Sequence, residues 1–506
     1  MPIAPHTKTT PLLWTAFLFY IILLAYAGMH HELWGDEVHS WNIAKGSSSY
    51  FDLLANRRYE GHPPAWYTLL WLVSSFTHQV RYLQWTQAVI AVGIVWLILF
   101  KAPFALSTRL LLPFGYYFLF EYGLFSRNYA LGVLFACCIC VILQKDFKYK
   151  TILYYILLFC LSNVHLLTFL LAASIHLYFL LFIRQRQANF LLHAFLGILV
   201  ILPAAYFIHL PADSEVNPYA WAHTWKIRQL GDFYQPILRA FLPVPAWWEY
   251  HFWNTQFLLE PGNNHSNARW IDTLIALALL GAAFFILRKN KKCIALFAAN
   301  LLLSEILSAT AFSLTTARHA GFIYIGFIIA WWLYNEESPV TSNGRRWVNV
   351  LLTVQLIAGV WAVSRDIRFP FSNTWQVSRL IDEIPADAKL VTDYWTMNAV
   401  VAFTDQPIYC VDTQQEMSFV LFDHRLARVD NNPHRYTDGL SSLLKKDNKQ
   451  KIYLISLSSP PLLAKVDSLL AINYHLTLID KREGAIEQGS NLYLYRVEAI
   501  QGPPNQ

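Results

Sequence analysis

The amino-acid sequence predicts a polytopic α-helical membrane protein that ends in a small α/β domain. The 506 residues are 55% hydrophobic and only 14% charged, with a mean hydropathy of +0.33, so they could not all pack into a soluble core. Eleven apolar runs come close to the ~20 residues that span ~30 Å of hydrocarbon. These runs are Pro11–Gly28, Arg81–Phe100, Thr108–Phe125, Tyr129–Leu143, Ile152–Asn163, His165–Ile183, Phe190–Ile208, Trp270–Leu287, Ile294–Phe312, Gly321–Tyr334 and Trp347–Val363.

Two segments near the amino end need separate interpretation. No small-residue cleavage motif follows the first run before the acidic segment after Met29, which favours a retained helix over a cleaved leader. The segment Pro63–Phe76 is also apolar, but it is short and begins with two prolines. A crossing there would reverse the side of everything before or after it, so we expect an interfacial or re-entrant helix.

The positions of the basic residues predict the orientation, because Lys and Arg in short loops mark the cytoplasmic side. The basic loops all fall on the same side as the amino terminus: Lys101 and Arg109; Lys145, Lys148 and Lys150; Arg184 and Arg186; Arg288, Lys289, Lys291 and Lys292; Arg345 and Arg346. Three regions then lie outside, at about 29–82, 209–269 and 365–506.

Beyond Ser364 the composition changes to a soluble pattern, which divides the chain into a membrane domain at 1–364 and an extracytoplasmic domain at 365–506. Strand-like runs alternate there with helical stretches near Trp375–Ile384 and Leu462–Leu470, as expected of a small α/β domain. The strand-like runs are Lys389–Thr392, Pro407–Val411, Lys451–Ile455, His475–Ile479 and Leu492–Tyr495. Because its sequence holds no phosphate-binding Gly-rich loop, metal-spaced Cys/His cluster or nucleophile elbow, we interpret it as an accessory or structural cap.

Asp36 and Glu37 lie in the first outer loop, a few residues after the first apolar run. Ionised carboxylates beside a bilayer are costly unless they bind something or do chemistry. We therefore interpret Asp36 as a candidate general base, in preference to a solvated residue without a role.

A second polar cluster in the same loop precedes the proline pair and contains Arg58, Glu60 and His62. The two clusters can meet at one point, where carboxylates suit a general base or a cation site. His39 lies between them, and taken alone we interpret it as a solvated loop residue without a role.

Cationic side chains mark two further outer turns. Arg127 could fork onto phosphate oxygens, and Arg318 with His319 could stabilise negative charge on a departing phosphate. Both turns could equally anchor a helix end at the lipid headgroups. His165 lies in another outer turn and is more often a satisfied polar residue.

The second outer loop is rich in aromatic residues, which form a headgroup belt by default but could also stack on a sugar or line a prenyl groove. Its polar and aromatic residues are Trp221, His223, Trp225, Arg228, Asp232, Tyr234, Trp247, Trp248, Glu249, Tyr250, His251, Trp253, His265 and Arg269. Five cysteines fall in apolar runs and Cys410 stands alone in the outer domain, so no disulfide framework is drawn. The sequence carries no nucleic-acid signature, and membrane lipids are the expected surroundings.

The ordered set of motifs resembles the C-type membrane glycosyltransferases, near the bacterial members related to protein O-mannosyltransferase and to the aminoarabinose transferase of lipid A. The matching residues are Gly35-Asp36-Glu37 after the first helix, Glu60-Gly61-His62-Pro63-Pro64-Ala65-Trp66-Tyr67, Ser126-Arg127-Asn128-Tyr129-Ala130-Leu131 and Ala317-Arg318-His319. In architecture the resemblance covers roughly the first 365 residues.

The resemblance implies transfer of a glycosyl group from a polyprenyl-phosphate-linked sugar on the outer face of a bacterial inner membrane. It implies Asp36 as the base that activates an acceptor hydroxyl. Glu37 would orient the acceptor or assist in binding a cation, and Glu60, together with His165, would lie on the acceptor or cation side.

For the lipid phosphate the resemblance implies Arg127, with Arg318 and His319 completing the site and Arg58 and His62 as further candidates. Relatives often carry Lys before the proline pair, where this chain has His62. Divalent-metal dependence differs among relatives, which leaves a metal ion open.

Two other functions fit the composition. A transporter or flippase of a lipid-linked sugar would also have many helices, but we would expect charges inside the membrane or symmetric broken helices, and the apolar runs show few of either. A non-catalytic envelope assembly protein with the same fold is the third hypothesis. The sequence specifies neither the sugar nor the acceptor, since lipid, glycan and protein hydroxyls all suit a carboxylate base.

Overall fold

Long apolar helices dominate the first three quarters of the chain. The computed structural model describes residues 10–184, 189–214, 232–260, 269–310, 313–337, 342–445 and 450–500. Six of its helices are long and apolar enough to cross a membrane. They are α1 (Thr10–His30), α5 (Arg81–Phe100), α10 (Phe190–Ile208), α12 (Arg269–Leu287), α13 (Lys291–Thr310) and α15 (Ser342–Arg368).

Four further predicted crossings form helices that are shorter or less apolar. They are α7 (Asn128–Leu143), α8 (Lys150–Ser162), α9 (Leu166–Tyr178) and α14 (Ala317–Glu337), and a π-helical segment, Phe179–Arg184, extends α9. The polytopic helical fold class predicted from the sequence is confirmed.

The apolar run Thr108–Phe125 does not form one continuous helix, which corrects the expectation of a regular crossing there. It is divided into α6 (Leu106–Leu111), a 3₁₀ turn (Leu112–Phe114) and a π-helical segment (Tyr116–Glu121). Pro113 lacks an N–H and Gly115 is extended, so the α-helical ladder ends between them. Side chains of neighbouring helices supply the missing partners, since the Tyr20 hydroxyl donates to the Phe118 carbonyl at 2.7 Å.

Three short helices fill the first outer loop: α2 (Gly35–Gly46), α3 (Tyr50–Asn56) and α4 (Ala65–Ser74). With ten residues, α4 is too short to cross a bilayer, and it packs on α2, as expected of an interfacial helix. A 3₁₀ turn, Arg57–Glu60, leads into the proline pair, and Gly61 adopts φ 64° to make the turn.

The second outer loop contains α11 (Tyr234–Phe241), which packs against α14 and α12. Several of its sequence-predicted residues lie outside the described residues, namely Trp221, His223, Trp225, Arg228 and His265, as does Arg186 of the basic loops.

A six-stranded mixed sheet forms the core of the carboxyl-terminal part, in the order β3-β2-β1-β4-β6-β5. The pairs β1–β2 and β1–β4 are parallel, and the other pairs are antiparallel. The strands are β1 (Lys389–Thr392), β2 (Ile408–Cys410), β3 (Gln415–Met417), β4 (Ile452–Ser456), β5 (Tyr474–Arg482) and β6 (Leu492–Ala499). The helices are α16 (Gln376–Asp382), α17 (Met397–Val401), α18 (His424–Asn431), α19 (Arg435–Leu444), α20 (Pro460–Val466) and α21 (Leu470–Asn473).

Helix α17 of this part is seated directly on α2 of the first outer loop. The Asn42 amide donates to the Asn398 carbonyl at 2.8 Å, and the Lys45 ammonium donates to the carbonyls of Val401 and Thr404, each at 2.8 Å. A cation at the carboxyl end of a helix satisfies carbonyls that the helix itself leaves unpaired. The sheet-bearing part is therefore anchored on the helix that carries Asp36.

Candidate active site

Asp36 lies in the first turn of α2, a polar helix that begins shortly after the membrane helix α1 ends. The backbone of Trp34 is extended just before α2, and the Glu37 carboxylate accepts its N–H at 2.8 Å, which closes the helix start. Asp36 itself is half-buried, and its backbone carbonyl accepts a hydrogen bond from Arg127 Nη1 at 2.6 Å. The acidic loop and the first cationic turn therefore meet, as the sequence predicts.

The Glu37 side chain is fully buried, and both of its oxygens are occupied. Oε1 accepts the Ser126 N–H at 2.5 Å, while Oε2 accepts the Trp34 N–H and lies 3.4 Å from His31 Nε2. A carboxylate held in this way cannot reach an acceptor or a cation without losing buried hydrogen bonds. The geometry thus favours a positioning role for Glu37 over the direct role that the resemblance implies.

Arg127 directly precedes α7 and is nearly buried. Besides Asp36, its Nη1 lies 3.2 Å from the Ser40 hydroxyl, and its Nε is buried without a hydrogen-bond partner among the described residues. Burial alone would lower the pKa of Arg127, but the charge of Asp36 raises it above the ordinary value. The guanidinium is therefore a permanent cation with donor capacity to spare.

Arg318, in the first turn of α14, contacts two indole rings that pack edge to face with their centres 4.7 Å apart. Its guanidinium carbon is 4.8 Å from the centre of Trp34 and 4.9 Å from that of Trp253. Cation–π contacts with both rings hold the guanidinium beside them, and Nη1 is buried without a partner among the described residues. Trp253 in turn stacks on Phe125 at 5.3 Å between ring centres, which joins the Arg318 and Arg127 turns.

His319 has both ring nitrogens engaged, which argues against the predicted phosphate contact. Nε2 lies 3.0 Å from the Tyr129 hydroxyl and Nδ1 lies 2.8 Å from the Thr316 hydroxyl. We interpret His319 as an anchor between α7 and the start of α14.

The His62 and His165 rings are in tilted contact with their centres 4.7 Å apart, although they lie on outer turns far apart in sequence. Burial, together with nearby Arg127, lowers the pKa of His62 to about 4. Burial and the neighbouring His62 hold the pKa of His165 well below its ordinary value, and its Nδ1 accepts the Leu167 N–H at the start of α9. Both rings therefore favour the neutral form, so His62 is poorly suited to the predicted phosphate contact, and His165 serves as a helix cap.

Glu60 forms an ion pair with His39 instead of standing free for an acceptor or a cation. The Glu60 carboxylate lies 2.6 Å from His39 Nε2, and His39 Nδ1 lies 3.1 Å from the side-chain oxygen of Asn398 on α17. Burial opposes both charges, yet the pair raises the pKa of His39 and lowers that of Glu60. The interpretation of His39 as a solvated residue without a role is therefore wrong, because its side chain is buried and joins Glu60 to Asn398.

Arg58 lies toward the end of α10, with its guanidinium carbon 5.5 Å from the centre of the Tyr206 ring. Its neighbour Arg57 is fully buried, lies 4.1 Å from the Phe207 ring centre and donates to the His62 carbonyl at 2.5 Å. The structure therefore turns this arginine pair toward α10, whereas Arg127 and Arg318 flank the loop of Asp36.

One acidic residue near Asp36 comes from the sheet-bearing part and was not among the sequence candidates. Glu487 lies in the loop after β5, and the N–H groups of Ile486 and Glu487 each donate at 2.9 Å to carbonyls in the linker after α15. Burial raises the pKa of Glu487 to about 7, with further electrostatic contributions from Asp36 and Arg318. No local signal marks this residue, because a single Glu in a polar loop has no distinctive spacing.

In the described part of the chain, no three His, Cys, Asp or Glu side chains are grouped as ligands for a metal ion. Two of the acidic groups near Asp36 already have partners, since Glu37 accepts from backbone N–H groups and one oxygen of Glu60 pairs with His39. The donor set thus does not fit a metal centre, and we derive no step through one.

Comparison with solved structures finds proteins that share this fold. Neither a family model nor a curated protein sequence matches the chain. The crystal structure of ArnT from Cupriavidus metallidurans bound to undecaprenyl phosphate superimposes with a TM-score of 0.53 at 10% sequence identity, covering 97% of this chain and 98% of that one. The fold resemblance predicted from the motifs is confirmed, and it extends beyond the first 365 residues to the carboxyl-terminal part.

Proposed function

We propose that the protein is a glycosyltransferase that moves a sugar from a polyprenyl phosphate to an acceptor hydroxyl at the outer face of the membrane. The fold shared with ArnT, whose structure holds undecaprenyl phosphate, supports a lipid-phosphate donor. The acceptor is a lipid, glycan or protein hydroxyl, and the proposal places the protein in a bacterial inner membrane with the site on the periplasmic side.

One observation carries this proposal. The Asp36 carboxylate and two arginines that keep N–H groups without partners among the described residues come together from three turns that are far apart in sequence. Arg127 donates to the backbone carbonyl of Asp36. Arg318 contacts the ring of Trp34, which lies two residues before Asp36. Buried guanidinium N–H groups without partners are costly, and a phosphate would satisfy them bidentately.

The reaction needs only these groups. Asp36 takes the proton of the acceptor hydroxyl as that oxygen bonds to the anomeric carbon, and the bond from that carbon to the phosphate oxygen breaks. Arg127 and Arg318 stabilise the charge on the departing polyprenyl phosphate. Attack opposite the phosphate inverts the anomeric centre, which requires Asp36 and the phosphate to lie on opposite sides of the sugar.

The test is transfer by the purified full-length protein from radiolabelled polyprenyl-phosphate sugars to a membrane extract, with and without a chelator. We expect transfer by the native protein and a loss of at least about 100-fold in Asp36→Asn, since a positioned base contributes about 10²–10⁴-fold. The matched control is Asp146→Asn, a fully exposed carboxylate beyond the far end of α7.

Full activity of Asp36→Asn would refute its role as the base. Movement of labelled lipid across proteoliposomes without any sugar transfer would favour the transporter and contradict the proposal.

A further inference from the structure

A buried charged triad lies behind the candidate site and takes no part in the proposed chemistry. The His31 ring bridges two carboxylates, with Nδ1 2.9 Å from Asp366 Oδ2 and Nε2 3.4 Å from Glu37 Oε2. All three side chains are fully buried. Charges in such a setting are expensive, so their retention calls for a specific role.

The triad joins three elements that are distant in sequence. His31 directly follows α1, Glu37 lies in the first turn of α2, and Asp366 lies in the last turn of α15, just before the chain enters the sheet-bearing part. The rings of Phe125 and Phe371 pack on His31 with centres 4.9 and 5.1 Å away. Apolar packing on the imidazole keeps water from replacing its two carboxylate partners.

The His31 ring is an imidazolium at neutral pH. Burial alone would lower its pKa, but Asp366 and Glu37 together raise it to about 10. Glu32 is a further carboxylate whose charge interacts with this ring. Both ring N–H groups therefore donate, one to each carboxylate, and both contacts persist across the physiological pH range.

Through Glu37, the triad reaches both halves of the candidate site. One Glu37 oxygen holds the N–H of Ser126, the residue before Arg127, and the other holds the N–H of Trp34, two residues before Asp36. Glu37 is thus the single side chain that connects His31 to the segment carrying Asp36 and to the segment carrying Arg127.

We infer that His31 is a positioning residue. By bridging Asp366 and Glu37, it holds Asp36 and Arg127 at a fixed separation and couples that separation to the position of α15. Because α15 leads into the sheet-bearing part, a shift of that part changes the geometry of the candidate site through this triad. The functional half of the inference rests on the proposed glycosyl transfer, whereas the mechanical half does not.

The mechanical half is tested by hydrogen exchange on the full-length protein in detergent, comparing native protein with His31→Gln and Asp366→Asn. We expect exchange in the segments 34–38 and 125–128 to become at least about tenfold faster in both variants, since the Ser126 and Trp34 N–H groups lose a fixed acceptor. The matched control is His30→Gln, which changes the exposed neighbouring histidine.

Unchanged exchange in both segments of both variants would overturn the inference. If His31→Gln does not fold, Asp366→Asn alone decides, because it keeps the His31 ring and weakens only the charged contact that ties Glu37 to α15. Faster exchange throughout the protein, instead of in these two segments, would also overturn it, since that is the result of a merely structural role.

The functional half is tested by transfer kinetics on the same variants. A site held ~1 Å out of place costs ~100-fold in rate, so we expect kcat to fall by about that factor while the donor KM changes less. Equal loss in His30→Gln, or normal kcat despite faster local exchange, would overturn the functional half. Absence of transfer by the native protein would instead refute the proposed function and leave the exchange result standing.

Discussion

At the scale of single residues, the site depends on how each charge is held. Arg318 is held by cation–π contacts with two indole rings and Arg127 by the backbone carbonyl of Asp36, yet both keep N–H groups without partners among the described residues. Backbone N–H groups use both Glu37 oxygens, and His39 uses one oxygen of Glu60. Spare donors therefore separate the residues suited to bind an anion from those suited to hold the site together.

Replacing Arg318 by lysine should lower kcat/KM for the lipid-linked donor about tenfold. The charge is kept, but the planar guanidinium that contacts the Trp34 and Trp253 rings is lost. Steady-state kinetics measure the effect. Arg288→Lys is the control, since Arg288 stacks on Phe285 at an exposed position, and an equal loss there would disprove the specific role of Arg318.

Replacing Glu487 by glutamine should change the pH dependence of stability. The pKa of Glu487 is raised from 4.5 to about 7, so the native state is penalised as pH rises through that interval, by on the order of 3 kcal/mol at most. The variant should therefore gain melting temperature relative to the native protein between pH 5 and pH 8.

Thermal unfolding in detergent at intervals of pH measures this gain. Glu483→Gln, an exposed carboxylate just after β5, is the control. A difference between Glu487→Gln and native protein that stays constant with pH would contradict the assignment.

The residues found from sequence and those missed differ in how far away their partners are. Asp36, Arg127 and Arg318 each lie at the end of an apolar run, where a charge is conspicuous in its local context. His31 is recognisable as functional only through Asp366, 335 positions later, and Glu487 only through its contact with the linker after α15. Neither partnership has a local sequence pattern.

At the scale of elements, hydrophobic length predicted the helices well because burial in lipid leaves little choice of structure. The run Thr108–Phe125 departs from a regular helix because Pro113 interrupts it and neighbouring side chains, Tyr20 among them, supply the lost partners. Apolar length detects such a run but not its irregular backbone. Strand β3 was not predicted, since it has three residues and two of them are exposed.

Removing the ammonium of Lys45 should weaken the contact between α17 and α2. Lys45→Met removes two charge-assisted hydrogen bonds to carbonyls, worth about 1.5–3 kcal/mol each when well buried. We expect faster hydrogen exchange across residues 397–404. Lys465→Met, at an exposed position on α20, is the control, and equal exchange in both variants would refute the anchoring role.

At the scale of the whole molecule, the account requires that the outer turns and the sheet-bearing part share one side of the membrane. The structure brings α2 and α17 into contact, which is compatible only with a common side. Which side that is follows from the distribution of Lys and Arg alone.

Accessibility labelling tests the orientation. A membrane-impermeant maleimide applied to intact cells should label Ser48→Cys and Gln488→Cys, both at exposed positions in the outer regions. Lys148→Cys, in a basic loop, should react only after the membrane is opened. Labelling of Lys148→Cys in intact cells would contradict the orientation.

The proposed lipid-phosphate site is tested most directly by the mass of the lipid that copurifies with the protein, measured by native mass spectrometry. We expect a bound polyprenyl phosphate in the native protein and its loss when Arg127 and Arg318 are both replaced by glutamine. Absence of such a lipid after incubation with undecaprenyl phosphate, or equal retention by the double variant, would contradict a phosphate site built from these two arginines.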